Sequence, residues 1–449
     1  MIRHFAASKQ FMHRRYPIPE THVSIRLSDP LSLPCGAILH NRIAKAAMTE
    51  GLADNEGRAT ARNVRLYEQW GAGGAGLLLT GNILIDHRFL ERPRNVIVER
   101  GRDPGALREL ASAATAHGAH CWVQINHPGR QAGLGAERFL GPSAVPYATG
   151  SDEMTRALTS GEIHDIIDRF AYVAETVRDC GFTGVQIHAA HGYLNSQFLS
   201  PLTNLRDDEW GGSLANRARM LLSSVRAVRK AVGPNFPLSV KLNSADFQQG
   251  GFTEDESLTV IGWLEQAGID LLEISGGNYE SMEMVGVSNP GSPQPERRAS
   301  TVAREAYFVA FAERIRPHTR VPLMVTGGFR SRGGMDAALA SGALDVVGIG
   351  RPFCADPAVA AGLLSGTIGD VRSPDCAPHI PRGVMPEADD MTHFIAQVQS
   401  GICYNYNRIR DLADGTSTAS ETDWLYNLRH HESVEATGAA AYHALNGGP

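Results

Sequence analysis

No two cysteines of this 449-residue chain are spaced as C-x-x-C. The six, Cys35, Cys121, Cys180, Cys354, Cys376 and Cys403, are scattered, which excludes a zinc knuckle and a disulfide framework and reads them as reduced, mostly structural thiols. Long hydrophobic runs are also missing, so no bilayer-spanning helix is expected and the expectation is a soluble, cytoplasmic protein. Charge of one sign is scarce: 42 Lys and Arg stand against 48 Asp and Glu, a net −6, which gives no reason to expect nucleic acid or an anionic membrane as partner. There is no H-E-x-x-H metal motif, and no G-x-G-x-x-G turn supplies a separate dinucleotide domain. The first sixteen residues, MIRHFAASKQFMHRRY, contain no acid. That composition resembles a transit peptide and leaves an organelle open; residues 1–23 are read as a disordered leader.

What is present is an alternation. From residue 42 onward, short apolar segments alternate with helix-length ones: RIAKAA (42–47), GLLLTGN (76–82), HCWVQIN (120–126), GVQIHAA (184–190), PLSVKLN (237–243), DLLEIS (270–275), PLMVTGG (322–328) and DVVGIG (345–350). Each is rich in Val, Ile, Leu or Ala, as parallel strands buried on both faces are. Thr159 with Glu162, and Thr253 with Glu256, have capping-box spacing, and the helical runs that follow end at glycine. Eight β-then-α units in series predict an α/β fold, a (β/α)8 TIM barrel, over residues 24–365. SIRLSDPLSLPCGAILHN (24–41) reads as a β-hairpin plugging the barrel's N-terminal end. Residues 366–449 read as an extension with a helix near 391–412 and a Ser/Thr/Ala/Gly-rich tail without fixed structure.

In such a barrel, chemistry sits at the C-terminal ends of the strands. HAAHGYLNSQFLSP (188–201) runs off the fourth strand and brings His188, His191 and Tyr193 to that rim. Neutral imidazoles can polarise a carbonyl or nitro oxygen, and a phenol can deliver a proton to carbon. A metal site is the rival use of two histidines, but no third ligand stands at a recognisable spacing. VTGGFRSRGG (325–334) and GIGRPF (348–353) follow the seventh and eighth strands, where this fold binds phosphate. Lys241 is a lone cation on an apolar strand, which must reach the rim or meet an anion. Gln124, with Asn126 and His127, adds amide donors and acceptors. Together these suit an isoalloxazine ring, which needs amide partners and a cation near its N1/O2 edge.

HAAHGYLNSQFLSPLTNLRDDEWGGSLANR (188–217) resembles the signature of the Old Yellow Enzyme family of FMN-dependent NAD(P)H:flavin oxidoreductases, the ene-reductases. The resemblance continues, in order, through NRIAKAAMTEG (41–51), VQINHPGRQ (123–131), KLNSADFQQGGFTEDE (241–256), EISGGNYE (273–280), GGFRS and GIGRPF. It implies non-covalent FMN, with Ala46, Ala47, Met48 and Thr49 packed on the ring. Gly81 and Gln124 would meet its pyrimidine side, Lys241 its N1 side, and Gly328, Gly350 and Arg351 its phosphate. NADH or NADPH would supply hydride in a ping-pong cycle through flavin N5. His188 and His191 would hold the oxygen of an enone-type small molecule, and Tyr193 would protonate its α-carbon. Many relatives form dimers or tetramers, which implies a homo-oligomer.

The chain departs from the pattern at Ala47, where relatives have Pro, and at Lys241, where they have Arg; Lys is a point charge and Arg a planar fork. Larger relatives carry a [4Fe–4S] cluster after the barrel, but only Cys376 and Cys403 lie in that region here, so no cluster is inferred. Two other readings stand beside the ene-reductase: an NADH oxidase that passes electrons to dioxygen, and a flavin-binding barrel without turnover. The long segment 277–300 after the sixth strand reads as a lid over the mouth.

Overall fold

The computed structural model describes residues 25–134, 139–146, 153–275, 309–371 and 380–446. Eight parallel strands close into a barrel: β1 (Ile43–Lys45), β2 (Leu77–Leu84), β3 (His120–Asn126), β4 (Gly184–Ala189), β5 (Leu238–Asn243), β6 (Leu271–Ser275), β7 (Leu323–Thr326) and β8 (Val346–Ile349). Each neighbours the next, and β8 and β2 both pair with β1, which closes the ring. Seven strands lie within the stretches expected for them, and β2 runs two residues past its expected end, to Leu84. Helices follow the strands: α1 (Ala61–Ala72), α2 (Gly105–Thr115), α3 (Ser160–Asp179), α4 (Arg219–Val232), α5 (Glu254–Gln266), α6 (Arg332–Ala340) and α7 (Val359–Ser365). The two capping boxes form at the starts of α3 and α5.

Strand side chains alternate in direction, and the two sets have different company. Val123, Ile125, Val185, Ile187, Val240, Leu242, Leu272 and Ile274 pack outward with helix residues such as Phe170, Val225 and Ile261 in the main core. Trp122, Leu77, Leu79, Leu271, Met324 and Val346 point inward and form a second apolar cluster. That cluster is completed by Leu31, Leu33 and Leu39 of the hairpin, whose strands Leu31–Ser32 and Ile38–Leu39 pair antiparallel across a turn at Gly36. The hairpin therefore seals the N-terminal end of the barrel. Two strand glycines make room for this filling. A Cβ on Gly184 would strike the Trp122 indole, and one on Gly348 would strike Thr326 Oγ1 and Met324 Cε.

The extension holds two helices, α8 (Asp390–Asp414) and α9 (Trp424–Asn446). The expected helix is present and slightly longer. The unstructured tail is corrected: Trp424–Asn446 is helical because contacts elsewhere in the fold hold it. Asn407 of α8 donates to the Asn427 carbonyl at 3.0 Å, and Tyr442 donates to the His87 carbonyl at 2.7 Å. In turn, α8 lies against α1 through Arg62 and Asp414 (2.6 Å) and Gln69 to the Leu412 carbonyl (2.8 Å). Among the described residues, no helix is long and apolar enough to cross a membrane. The leader, the lid segment 277–300 and Cys376 lie outside the described residues.

Candidate active site

Above its apolar floor the barrel interior turns polar. Gln124 Nε2 donates to Gln186 Oε1 (2.6 Å), Gln186 Nε2 donates to Glu273 Oε2 (2.9 Å), and Thr326 Oγ1 donates to Glu273 Oε1 (2.6 Å). Lys241 Nζ lies 3.1 Å from Glu273 Oε1. Both are buried, and among the described residues each charge is compensated by the other and by these amide and hydroxyl partners. Lys241 thus meets an anion inside the barrel rather than reaching for solvent. Glu273 and Gln186 were not singled out in the sequence, although both occupy inward positions of strands whose outward positions are apolar.

One layer higher, His188 and Tyr193 are buried and His191 is partly exposed. The His188 ring lies 5.1 Å from that of His191 and 4.7 Å from that of Tyr193, edge to face in both cases. The three expected groups therefore form one cluster. His188 Nδ1 accepts the Ala190 N–H at 3.2 Å, which puts the ring proton on Nε2. His191 Nε2 lies 2.6 Å from Ser275 Oγ, and the backbone N–H of His191 donates to Asn243 Oδ1. His191 has φ +61°, an uncommon conformation for a residue with a Cβ and one often found at functional sites. Both imidazoles are held well below the ordinary histidine pKa, first by burial, with Lys241 nearby acting in the same direction. They are neutral donors at physiological pH.

Ala46 is buried, while Ala47, Met48 and Thr49 are partly exposed at the rim after β1. Gly327 and Gly328 both have positive φ, and an added Cβ on Gly327 would meet nothing, so the turn after β7 leaves open space. Gly350 lies over Met48 and Ala46, and Arg351 beside it is exposed. Gly81 differs from the rest: its N–H donates to Glu50 Oε1 at 2.9 Å, and a Cβ would collide with Glu50 and the Met48 carbonyl. Packing alone requires glycine there. Asn126, fully buried at the end of β3, has neither side-chain atom partnered among the described residues. An unpaired amide, a cation, a ring of partly exposed small residues and an open glycine turn together fit a flavin mononucleotide lying across the mouth.

Residues 27–367 match the NADH:flavin oxidoreductase / NADH oxidase family. The chain belongs to that family. It is 34% identical over 388 residues to the NADH-dependent flavin oxidoreductase iliE of Hypocrea jecorina, covering 81% of this chain and 93% of that one. It is 35% identical over 425 residues to nadA of Aspergillus parasiticus, covering 88% and 90%. It spans about half (48%) of the iliE of Neonectria sp.. In fold it resembles morphinone reductase, with a TM-score of 0.65 and 23% identity over 79% of this chain and 92% of that one. The chain is thus a flavin oxidoreductase of that family, with FMN as cofactor and NAD(P)H as donor.

Among the described residues, one trio of ligand-type side chains, Asp86, His87 and Glu99, converges outside the mouth. Its carboxylates already pair with Arg88, Arg169 and Arg102, so guanidinium charge fills the place a cation would take.

Proposed function

We propose that this flavin oxidoreductase reduces the activated C=C bond of α,β-unsaturated carbonyl compounds. The observation that carries the reading is the cluster of His188, His191 and Tyr193, in which the His188 ring meets both the second imidazole and the phenol at the barrel mouth. FMN, when bound, would relay hydride from NAD(P)H to the β-carbon.

The side chains would do the rest. His188 offers its Nε2 proton, and His191 a ring N–H, to the carbonyl oxygen. Negative charge grows on that oxygen as hydride reaches the β-carbon, so these hydrogen bonds strengthen in the transition state and lower the barrier. Their depressed pKa values support this use, because a neutral ring can donate without the cost of burying a cation. Tyr193 would give its hydroxyl proton to the α-carbon. Lys241 would set positive charge beside the pyrimidine edge of the ring, with Glu273 fixing its position. Ala46 to Thr49 would pack on the ring, Gln124 would face its amide edge, and Gly328, Gly350 and Arg351 would hold its phosphate.

The test is the visible spectrum of the holoenzyme, reduced anaerobically with NADH or NADPH and then mixed with 2-cyclohexen-1-one. Return of the oxidised flavin band is expected, slowed in Tyr193→Phe by roughly 10²-fold or more, the usual contribution of a general acid. A band that returns only on admitting air would replace the ene-reductase with the oxidase. Unchanged enone reduction in Tyr193→Phe would remove the proton-donor assignment.

A further inference from the structure

A carboxyl group lies directly behind the phenol. Glu91, on the segment after β2, accepts the Tyr193 hydroxyl on Oε2 at 3.2 Å. Asn82 Nδ2 donates to the same oxygen, and the Thr49 hydroxyl also bonds this carboxyl. A carboxylate with a purely structural task is usually paired with a guanidinium, and one is adjacent in sequence. Arg92, however, turns outward: it pairs with Glu435 of α9 at 2.7 Å and lies 3.7 Å over the Tyr406 ring of α8. Among the described residues Glu91 is left with three neutral hydrogen-bond partners. The charged and titratable groups around it are Arg92 on its own segment, Tyr193 from the β4 rim, and Tyr406, Arg410, His431 and Glu435 from the two C-terminal helices behind Arg92. Burial raises its pKa above the ordinary glutamate value, against the opposing pull of Thr49, Asn82 and Arg92.

We propose that Glu91 is the proton store behind Tyr193. In the structure the phenol donates to Glu91. With substrate bound its hydrogen turns to the α-carbon, and the protonated Glu91 donates in the reverse sense. As the phenol O–H bond breaks and its hydrogen bonds to the α-carbon, the carboxylic O–H of Glu91 breaks and a new phenol O–H forms. The carboxylate left behind takes a proton from water before the next turnover. Without such a donor, the transfer would strand a phenolate in a buried site. With it the charge moves to an acid whose reference pKa is lower by roughly six pH units. Glu91 touches no reacting atom and acts only through Tyr193, so it is a positioning and proton-supplying residue; the inference rests on Tyr193 being the donor.

The test follows oxidation of the reduced holoenzyme by 2-cyclohexen-1-one as a function of pH. Each rate is divided by the rate with ferricyanide, which takes electrons and no carbon-bound proton. The ratio is internal to each preparation, so partial loss of fold does not imitate an effect. In the parent enzyme the ratio should fall as pH rises and Glu91 ionises. Glu91→Gln should lower the ratio about tenfold and abolish its fall at high pH, and Glu91→Asp should restore part of the pH dependence. Added to Tyr193→Phe, Glu91→Gln should bring no further loss, because the two act as one unit. A pH profile unchanged in Glu91→Gln, or a fully additive loss in the double variant, overturns the proposal. An unchanged ratio in Tyr193→Phe instead overturns the donor reading beneath it.

Discussion

At the scale of single residues, this mouth is built from groups whose ordinary ionisation is suppressed. His127, just past the end of β3, shows the effect most simply: burial pushes it down to about 4, and its Nδ1 accepts the Gly129 N–H at 3.0 Å. The unfolded chain takes up a proton at such a histidine near pH 6.5, and the folded one does so only near 4. Between those values the unfolded state binds more protons, so stability rises with pH in this window and levels off above it. His127 should contribute up to about 1.4 kcal/mol per pH unit to that slope. Urea midpoints measured between pH 4 and 7 should fall on acidification, and His127→Gln should make the fall shallower. His188, His191 and Tyr193 were legible as a site because a strand end is a poor place for three polar rings. Glu91 was not, because a glutamate in FLERPRN has the look of any surface acid. Its one signal is position: it follows the C-terminal end of a barrel strand, on the face where chemistry is done.

At the scale of elements, the strands were readable because burial on both faces forces continuous apolar stretches, and the helix starts because capping boxes are local in sequence. The inward polar residues were harder to see. Gln186 and Glu273 make sense only when β4, β5 and β6 stand side by side, as the pairing of Gln186 with Ser239 and of Lys241 with Glu273 across neighbouring strands shows. The same lateral packing gives Gly348 its role. Gly348→Ala would drive a methyl group into Thr326 and Met324, and should lower stability by about 2 kcal/mol, the usual cost of overpacking a tight core. Denaturant unfolding should show Met324→Ala recovering part of that loss, through the space it opens. Helix α9 escaped the sequence reading for the opposite reason. Its buried residues are Asn427, Gly438 and Tyr442, which make no apolar stripe, and its order comes from partners distant in sequence.

At the scale of the whole molecule, α9 ties the end of the chain to the segment that carries Glu91. Glu435 accepts from both Arg92 and Arg410, Gly438 packs against Pro93, and Tyr442 holds the His87 carbonyl. Glu435→Ala would leave two largely buried guanidinium groups without their anion and should cost about 3 kcal/mol. Chemical denaturation should register that loss, and hydrogen exchange should rise across residues 87–94. At its other end the molecule imposes a constraint of a different kind. Among the described residues, the hairpin closes the floor and Trp122 and its neighbours fill the space above it, so the barrel is sealed at this end. Under the proposed function, reductant and oxidant would share the opposite mouth. In the proposed reaction spent nicotinamide would have to leave before the acceptor enters, so the order of events in a turnover would be enforced by traffic: each reactant, in excess, should obstruct the other.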